Sequence, residues 1–340
     1  MLPKKSSTAK IKFVFIIPLI GFIISSVYLK SYGSELLKLN PLYGYGFNKG
    51  FVKGAETQIV RPGYADTLVD GYDSEPNWFK YSEPALINAP EVMAESAILV
   101  DLDSGQILFE KNSRQRREIA SLVKIMTAVV VLEHAPLDKT IEVSEAAASI
   151  GENMMGVSAG EVYTVEELLY GLMLPSGNDA AYTLAEGVGG DTANFIGWMN
   201  IKANELGLKD THFADPSGLD DATYSSAVDL LKLSRYAMKF PEFRKIVKTY
   251  QAELSGDTHK YLYLENQTNL LTTYPGVEGV KTGYTEEAGL CLVTYANNQG
   301  KEVIGVVLDS TDRKGDMILM LDYGYSRLGV YPQHDLLNPM

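Results

Sequence analysis

Apolar and polar positions change texture several times along the chain. From Phe13 to Leu29 the sequence FVFIIPLIGFIISSVYL holds no charge, and Ile11 and Lys12 extend it, with Lys12 able to snorkel; this predicts a membrane span over 11–29. Residues 31–90 keep no period and are broken by Pro41, Gly44, Gly50, Gly54, Pro62, Gly71, Pro76, Pro84 and Pro90, which predicts a stalk. From Ser96 onward the pattern becomes dense and regular. Ala97 to Asp101, a turn at Asp103-Ser104-Gly105, and Ile107-Leu108-Phe109 predict a β-hairpin. Ser121 to Glu133 is apolar for longer than a strand runs, so a buried helix is expected despite its valines. Thr164-Val-Glu-Glu167 is a capping box that opens a helix, and Pro175 stops it. Helices are expected over 191–206 and 226–238, strands over 279–285, 290–295 and 303–308, and a last helix over 316–328. This order predicts an α+β fold: an antiparallel sheet flanked by helices, with a helical lobe.

Charge gives these segments an orientation. The 340 residues carry 30 basic and 43 acidic side chains, a formal balance of −13. An acidic total argues against nucleic acid as a partner. Lys4, Lys5 and Lys10 precede the apolar run with no acid among them, so residues 1–10 are expected in the cytoplasm and everything after Lys30 outside. A cleaved signal peptide is the competing reading, and it also exports the remainder. That remainder holds 25 basic and 43 acidic groups. The single cysteine, Cys291, excludes an internal disulfide and a Cys-based metal site, and the four histidines form no HxxxH pair. No metal or cofactor is implied.

Three short motifs stand in order: Ser121-Leu-Val-Lys124, Ser176-Gly-Asn178 and Lys281-Thr-Gly283. Alone, S-x-x-K is a chance match, and Ser7-x-x-Lys10 supplies another. Ser121 differs because it opens the expected helix, where positions i and i+3 share a face and free backbone N–H groups surround the hydroxyl. In a strand, Lys281, Gly283 and Thr285 point to one face and Thr282 and Tyr284 to the other. The bare Gly283 would let an extended peptide lie close between an ammonium and a hydroxyl. Ser176, between two helices, alone reads as an N-cap.

The ordered triple resembles the serine D-alanyl-D-alanine carboxypeptidases, the low-molecular-mass penicillin-binding proteins. Leu102-Asp-Ser-Gly105, Leu174-Pro-Ser-Gly-Asn-Asp179, Asp215-Pro-Ser-Gly-Leu219 and Leu321-Asp-Tyr-Gly324 extend the resemblance over 91–330, leaving 331–340 as a tail. It implies a β-lactamase/transpeptidase-like fold and a penicillin-sensitive enzyme that removes the terminal D-alanine of peptidoglycan stem pentapeptides or their lipid-linked precursor. Ser121 would be the nucleophile and Lys124 its base, neutralised by burial and by Lys281. Ser176 would relay a proton, and Asn178 would hold Lys124 and the substrate amide. The oxyanion hole would be the N–H groups of Ser121 and Tyr284. Lys281, Thr282, Gly283, Thr285 and Arg313 would line the subsite of the terminal carboxylate. β-Lactams would be covalent inhibitors. The resemblance leaves open housekeeping, sporulation and glycopeptide-resistance roles.

Three rivals are set against this reading. Gly156-Val-Ser-Ala-Gly160 fits the nucleophile-elbow letters, but no strand precedes it and no helix follows directly, so a loop is expected. A β-lactamase needs a glutamate-held water, and Glu265-Asn-Gln-Thr-Asn269 stands too close to Lys281 to supply it. A β-lactam-sensing membrane receptor needs a larger cytoplasmic portion than residues 1–10.

Overall fold

The computed structural model describes residues 88–268 and 270–336. The expected cytoplasmic tail (1–10), membrane span (11–29), nearly all of the stalk and residues 337–340 lie outside them. Among the described residues no helix is long and apolar enough to cross a membrane.

The expected hairpin is present as β1 (Ser96–Asp101) and β2 (Ile107–Lys111). A short β3 (Arg117–Glu118) leads into a 3₁₀ turn, Ala120–Val123, and helix α1, Lys124–His134. Every residue of α1 from Lys124 to Leu132 is buried, which is why a segment with three consecutive valines holds a helix: packing on all sides outweighs its weak propensity. Then come β4 (Thr140–Glu142), α2 (Glu145–Ala148), β5 (Val162–Thr164), α3 (Val165–Met173), α4 (Asn178–Gly189) and α5 (Thr192–Glu205). β6 (Tyr224–Ser225), α6 (Ala227–Ala237), α7 (Pro241–Lys248), the hairpin β7 (Gln251–Leu254) and β8 (Leu262–Glu265), and α8 (Leu270–Thr273) complete the lobe. The chain closes with β9 (Val277–Thr285), β10 (Gly289–Asn298), β11 (Lys301–Ser310) and α9 (Arg313–Arg327).

Helix starts follow their capping chemistry. Thr164 accepts from the Glu167 N–H and Glu167 returns the bond, so the capping box forms as expected. Asp191, Ser226 and Asp312 cap α5, α6 and α9 through their side chains. The last helix therefore begins at Arg313, earlier than expected, because Asp312 is its cap.

The main sheet has the order β2-β1-β11-β10-β9 and is antiparallel throughout. Its strands alternate between two cores. Ile98, Val100, Val293, Ile304 and Val306 join α1 and the helical lobe, while Leu99, Leu292, Val303 and Val307 pack with Met317, Met320 and Leu321 of α9. A Cβ on Gly324 would lie 2.2 Å from Leu99 Cδ2, so this glycine lets α9 settle onto β1. The expected α+β architecture is present. It leaves β9 at one edge of the sheet, beside the 3₁₀ turn that carries Ser121.

Candidate active site

Ser121 does not open an α-helix as expected; it lies in the 3₁₀ turn, after Ala120 with φ +46°. Lys124 is the first residue of α1, and the i, i+3 spacing brings its Nζ to 2.9 Å from Ser121 Oγ. Nζ also lies 2.7 Å from Asn178 Oδ1 and 2.7 Å from the Ser217 carbonyl, and the side chain is 0% exposed. These neighbours fit two protonation states. The carbonyls of Asn178 and Ser217 accept and cannot donate, whereas the Ser121 hydroxyl can do either. An ammonium donates to all three oxygens; a neutral amine gives its two N–H groups to the carbonyls and keeps its lone pair for the Ser121 hydroxyl. Burial favours the neutral amine: it lowers the Lys124 pKa to about 7, against the opposing pull of Asp215, Asp179 and Glu152. Lys281, expected to contribute, is close enough for its charge and that of Lys124 to repel each other.

Each partner of Lys124 is held in turn. Asn178 opens α4, and its Nδ2 donates to the Gly151 carbonyl at 3.0 Å, which fixes its Oδ1 toward the amine. Next to it, the Asp179 carboxylate accepts from the N–H groups of Met155, Gly156 and Val157 and pins that loop. Ser217 lies in a turn folded around the Asp215 carboxylate, and the neighbouring Pro216 carbonyl accepts from Thr127 Oγ1 at 2.7 Å.

Ser176 is not the N-cap it resembles. α4 is capped by Gly177 without a side-chain bond, and Ser176 has φ +65°. Its hydroxyl is 1% exposed and finds no hydrogen-bond partner. A buried hydroxyl costs free energy when unpaired, so a site that retains one keeps it free for another molecule.

On β9, Lys281 is 1% exposed and its Nζ donates to the Thr282 carbonyl at 2.9 Å. Burial first, then the charges of Lys124 and Arg313, hold its pKa well below the ordinary lysine range. Arg313, the first residue of α9, reaches the same strand: its Nη1 donates to the Gly283 carbonyl at 2.7 Å. Gly283 is required for a reason other than the expected one. A Cβ there would lie 3.0 Å from Ile119 O and 3.2 Å from Ser121 N, so the vacant side faces the turn bearing Ser121 and not an open floor. Thr282 is buried, Tyr284 is 61% exposed, and Thr285 Oγ1 accepts from the Ala288 N–H in the turn to β10.

The sequence reading assigned no role to the Ser217 carbonyl or to Asp215. A main-chain acceptor leaves no mark in side-chain chemistry; the signal available was the Asp-Pro-Ser-Gly turn itself. Cys291 is buried and free, as expected of a core residue. Ser158 lies in a loop, where its hydroxyl accepts from Lys260, and Glu265 is exposed on β8. Asn269 lies outside the described residues.

A profile of the D-alanyl-D-alanine carboxypeptidase family matches residues 83–312. DacF, a D-alanyl-D-alanine carboxypeptidase of Bacillus subtilis (strain 168), is 39% identical over 250 residues, which are 70% of this chain and 64% of that protein. The chain thus spans less than two thirds of that relative's length. A D-alanyl-D-alanine carboxypeptidase of Streptomyces sp. (strain K15) is 38% identical over 261 residues, covering 71% of this chain and 90% of the relative. Among solved structures, the Streptomyces K15 DD-transpeptidase superposes with a TM-score of 0.67 at 38% identity, over 71% of this chain and 100% of that one.

Proposed function

The chain belongs to the D-alanyl-D-alanine carboxypeptidase family, and from that membership we propose that it is a serine D,D-carboxypeptidase held at the outer face of the membrane by residues 11–29. The observation that carries the mechanism is the geometry at Lys124: its buried Nζ lies within hydrogen-bond distance of Ser121 Oγ and of two carbonyls, so in the neutral amine the carbonyls take the N–H groups and the lone pair is left for the Ser121 hydroxyl. Ser121 Oγ attacks the carbonyl carbon of the penultimate D-alanine while its proton passes to Lys124 Nζ. The oxyanion forms beside the N–H groups of Ser121 and Tyr284, which Gly283 allows to approach. The C–N bond then breaks, and Ser176 acts as a relay: its hydroxyl gives a proton to the departing D-alanine amine and takes up the one that Lys124 received from Ser121. Water hydrolyses the remaining ester and regenerates Ser121. Asn178 serves the substrate amide as well as Lys124. Arg313 and Lys281, with Thr282 and Thr285, receive the terminal carboxylate.

A β-lactam enters the same cycle, but its ring opens without releasing a fragment, and Glu265 of the E-x-x-x-N letters is exposed on β8. The acyl-enzyme therefore persists. The transpeptidase among the similar structures supports a second fate for the peptide ester, attack by an amine in place of water. Purified protein is expected to release D-alanine from a pentapeptide ending in D-Ala-D-Ala, and protoplasts carrying it to do so with peptide added outside. Failure of the purified protein to release D-alanine, or rapid turnover of penicillin, contradicts this reading.

Substrate binding also has a proton signature. Lys281 is buried beside Lys124 and Arg313 and held below its ordinary pKa, so an arriving carboxylate raises its proton affinity. Calorimetry on Ser121→Ala with a D-alanine-terminated peptide, in buffers of different ionisation enthalpy, is expected to show net proton uptake. Lys281→Met is expected to abolish it; equal uptake in both proteins contradicts the assignment.

A further inference from the structure

The turn from Asp215 to Leu219 makes no contact with the Ser121 hydroxyl, yet it supplies one of the two carbonyls that orient the Lys124 amine. Asp215 is 4% exposed. Its Oδ2 accepts from Ser217 N at 3.2 Å, Ser217 Oγ at 2.5 Å, Gly218 N at 2.9 Å and Leu219 N at 3.0 Å. Its Oδ1 accepts from Gly218 N at 3.0 Å and Thr223 Oγ1 at 3.3 Å. All of these donors are neutral, so they fold the turn around the carboxylate without cancelling its charge. The turn is also wedged against the nucleophile. Gly218 has φ +89°, and a Cβ there would lie 2.1 Å from Ala120 O and 3.0 Å from Ser121 N. Between these two contacts stands Ser217, whose carbonyl takes one N–H of Lys124 at 2.7 Å.

We propose that Asp215 is a positioning residue of the acyl transfer, acting through the Ser217 carbonyl to aim the Lys124 lone pair at Ser121. The inference rests on Lys124 being the base of the proposed function. If one N–H of the amine lost its acceptor, the amine could rotate and the lone pair would no longer be confined to the Ser121 hydroxyl. The charge of Asp215 adds a second effect. Lys124 is faced by Asp215, by Asp179 of α4 and by Glu152 of the loop before β5, with Lys281 on β9 nearby. Asp215 is the largest of the carboxylate contributions that oppose the effect of burial. Without it the amine loses its proton at lower pH.

The test compares Asp215→Asn with Asp220→Asn, which removes the same charge from an exposed neighbour. In protein labelled with ¹³C at lysine Cε, the Lys124 resonance, assigned with Lys124→Met, is followed against pH beside the rate of acylation by penicillin. Asp215→Asn is expected to move the Lys124 midpoint and the acid limb of acylation together to lower pH, by on the order of one unit. Asp220→Asn leaves both in place. Asp215→Glu keeps the charge but displaces the turn, and is expected to slow acylation roughly tenfold to a hundredfold at every pH. A Lys124 midpoint in Asp215→Asn equal to that of the unaltered protein overturns the inference. So does an Asp215→Glu variant with unaltered acylation, which decides the matter if Asp215→Asn does not fold. If the resonance moves and the acid limb does not, Lys124 is not the base: the proposed mechanism fails while the linkage of Asp215 to Lys124 stands.

Discussion

Replacing Ser121 with alanine is expected to lower D-alanine release by roughly 10⁴-fold or more and to remove covalent labelling by penicillin. The size follows from what the site offers instead. Ser121 Oγ is the one hydroxyl at hydrogen-bond distance from Lys124 Nζ among the described residues, at 2.9 Å. The other site hydroxyl, Ser176, is buried with no partner, so no base stands ready to take its proton. Substrate should still bind, because Lys281, Arg313 and the β9 backbone are untouched by the change. The variant should therefore hold a D-alanine-terminated peptide without cleaving it. Labelling that survives in Ser121→Ala would place the nucleophile elsewhere, with Ser176 the first candidate.

The second large effect concerns Lys124. Lys124→Met removes the one base within hydrogen-bond distance of Ser121 Oγ among the described residues and is expected to cut kcat by about 10³-fold with a much smaller change in KM. The pH dependence carries the more specific signature. The reaction needs the neutral amine, and burial lowers the Lys124 pKa from its ordinary 10.5 to about 7. Below that value the amine is protonated and cannot accept from Ser121, so the rate falls about tenfold for each unit of pH. Above it the rate is level with respect to this group. The residual rate of Lys124→Met lacks this acid limb. A profile that rises only toward pH 10, as an unperturbed lysine would give, contradicts the account, as does an acid limb that survives in Lys124→Met.

Much of the scaffold around these residues was legible before any coordinates, and the reason is local. Thr164 with Glu167, Asp191 and Ser226 carry their capping chemistry in side chains a few residues from the helices they start, so the expected starts and the observed ones agree closely. The strands β10 and β11 were legible because each holds an apolar run bounded by turn residues, and β9 was legible from the Lys-Thr-Gly-Tyr-Thr segment it carries. The hairpin β7–β8 and helix α7 were missed. β7 and β8 are four-residue strands with exposed glutamates and a tyrosine, too short for a clear alternation, whereas α7 carries a helical signal that was available, Pro241 at its start and Phe243, Ile246 and Val247 on one buried face.

At the site the division is similar. Side-chain partners were legible from spacing: Lys124 one turn after Ser121, and Asn178 two residues after Ser176. What spacing could not show was backbone geometry. The Ser217 carbonyl is a main-chain atom, and the role of Gly283 depends on a turn more than 150 residues away that approaches it in space. Ser176 illustrates the opposite error, since its letters fit an N-cap and its positive φ takes the hydroxyl out of that role. The acidity of the chain remains as a constraint. Arg313, joined by Lys281 once it takes up a proton, would give a local positive centre inside a protein of net charge −13, so an anionic peptide end is favoured at this site while the average charge opposes it elsewhere.

The central claim is that Ser121 forms the acyl-enzyme. It is tested most directly by incubating the purified protein with penicillin, measuring its intact mass, and mapping the adduct by peptide mass spectrometry. The account predicts a single added penicillin, found on the peptide that contains Ser121 and absent from Ser121→Ala. An unmodified protein, or an adduct on Ser158 or Ser176, contradicts it.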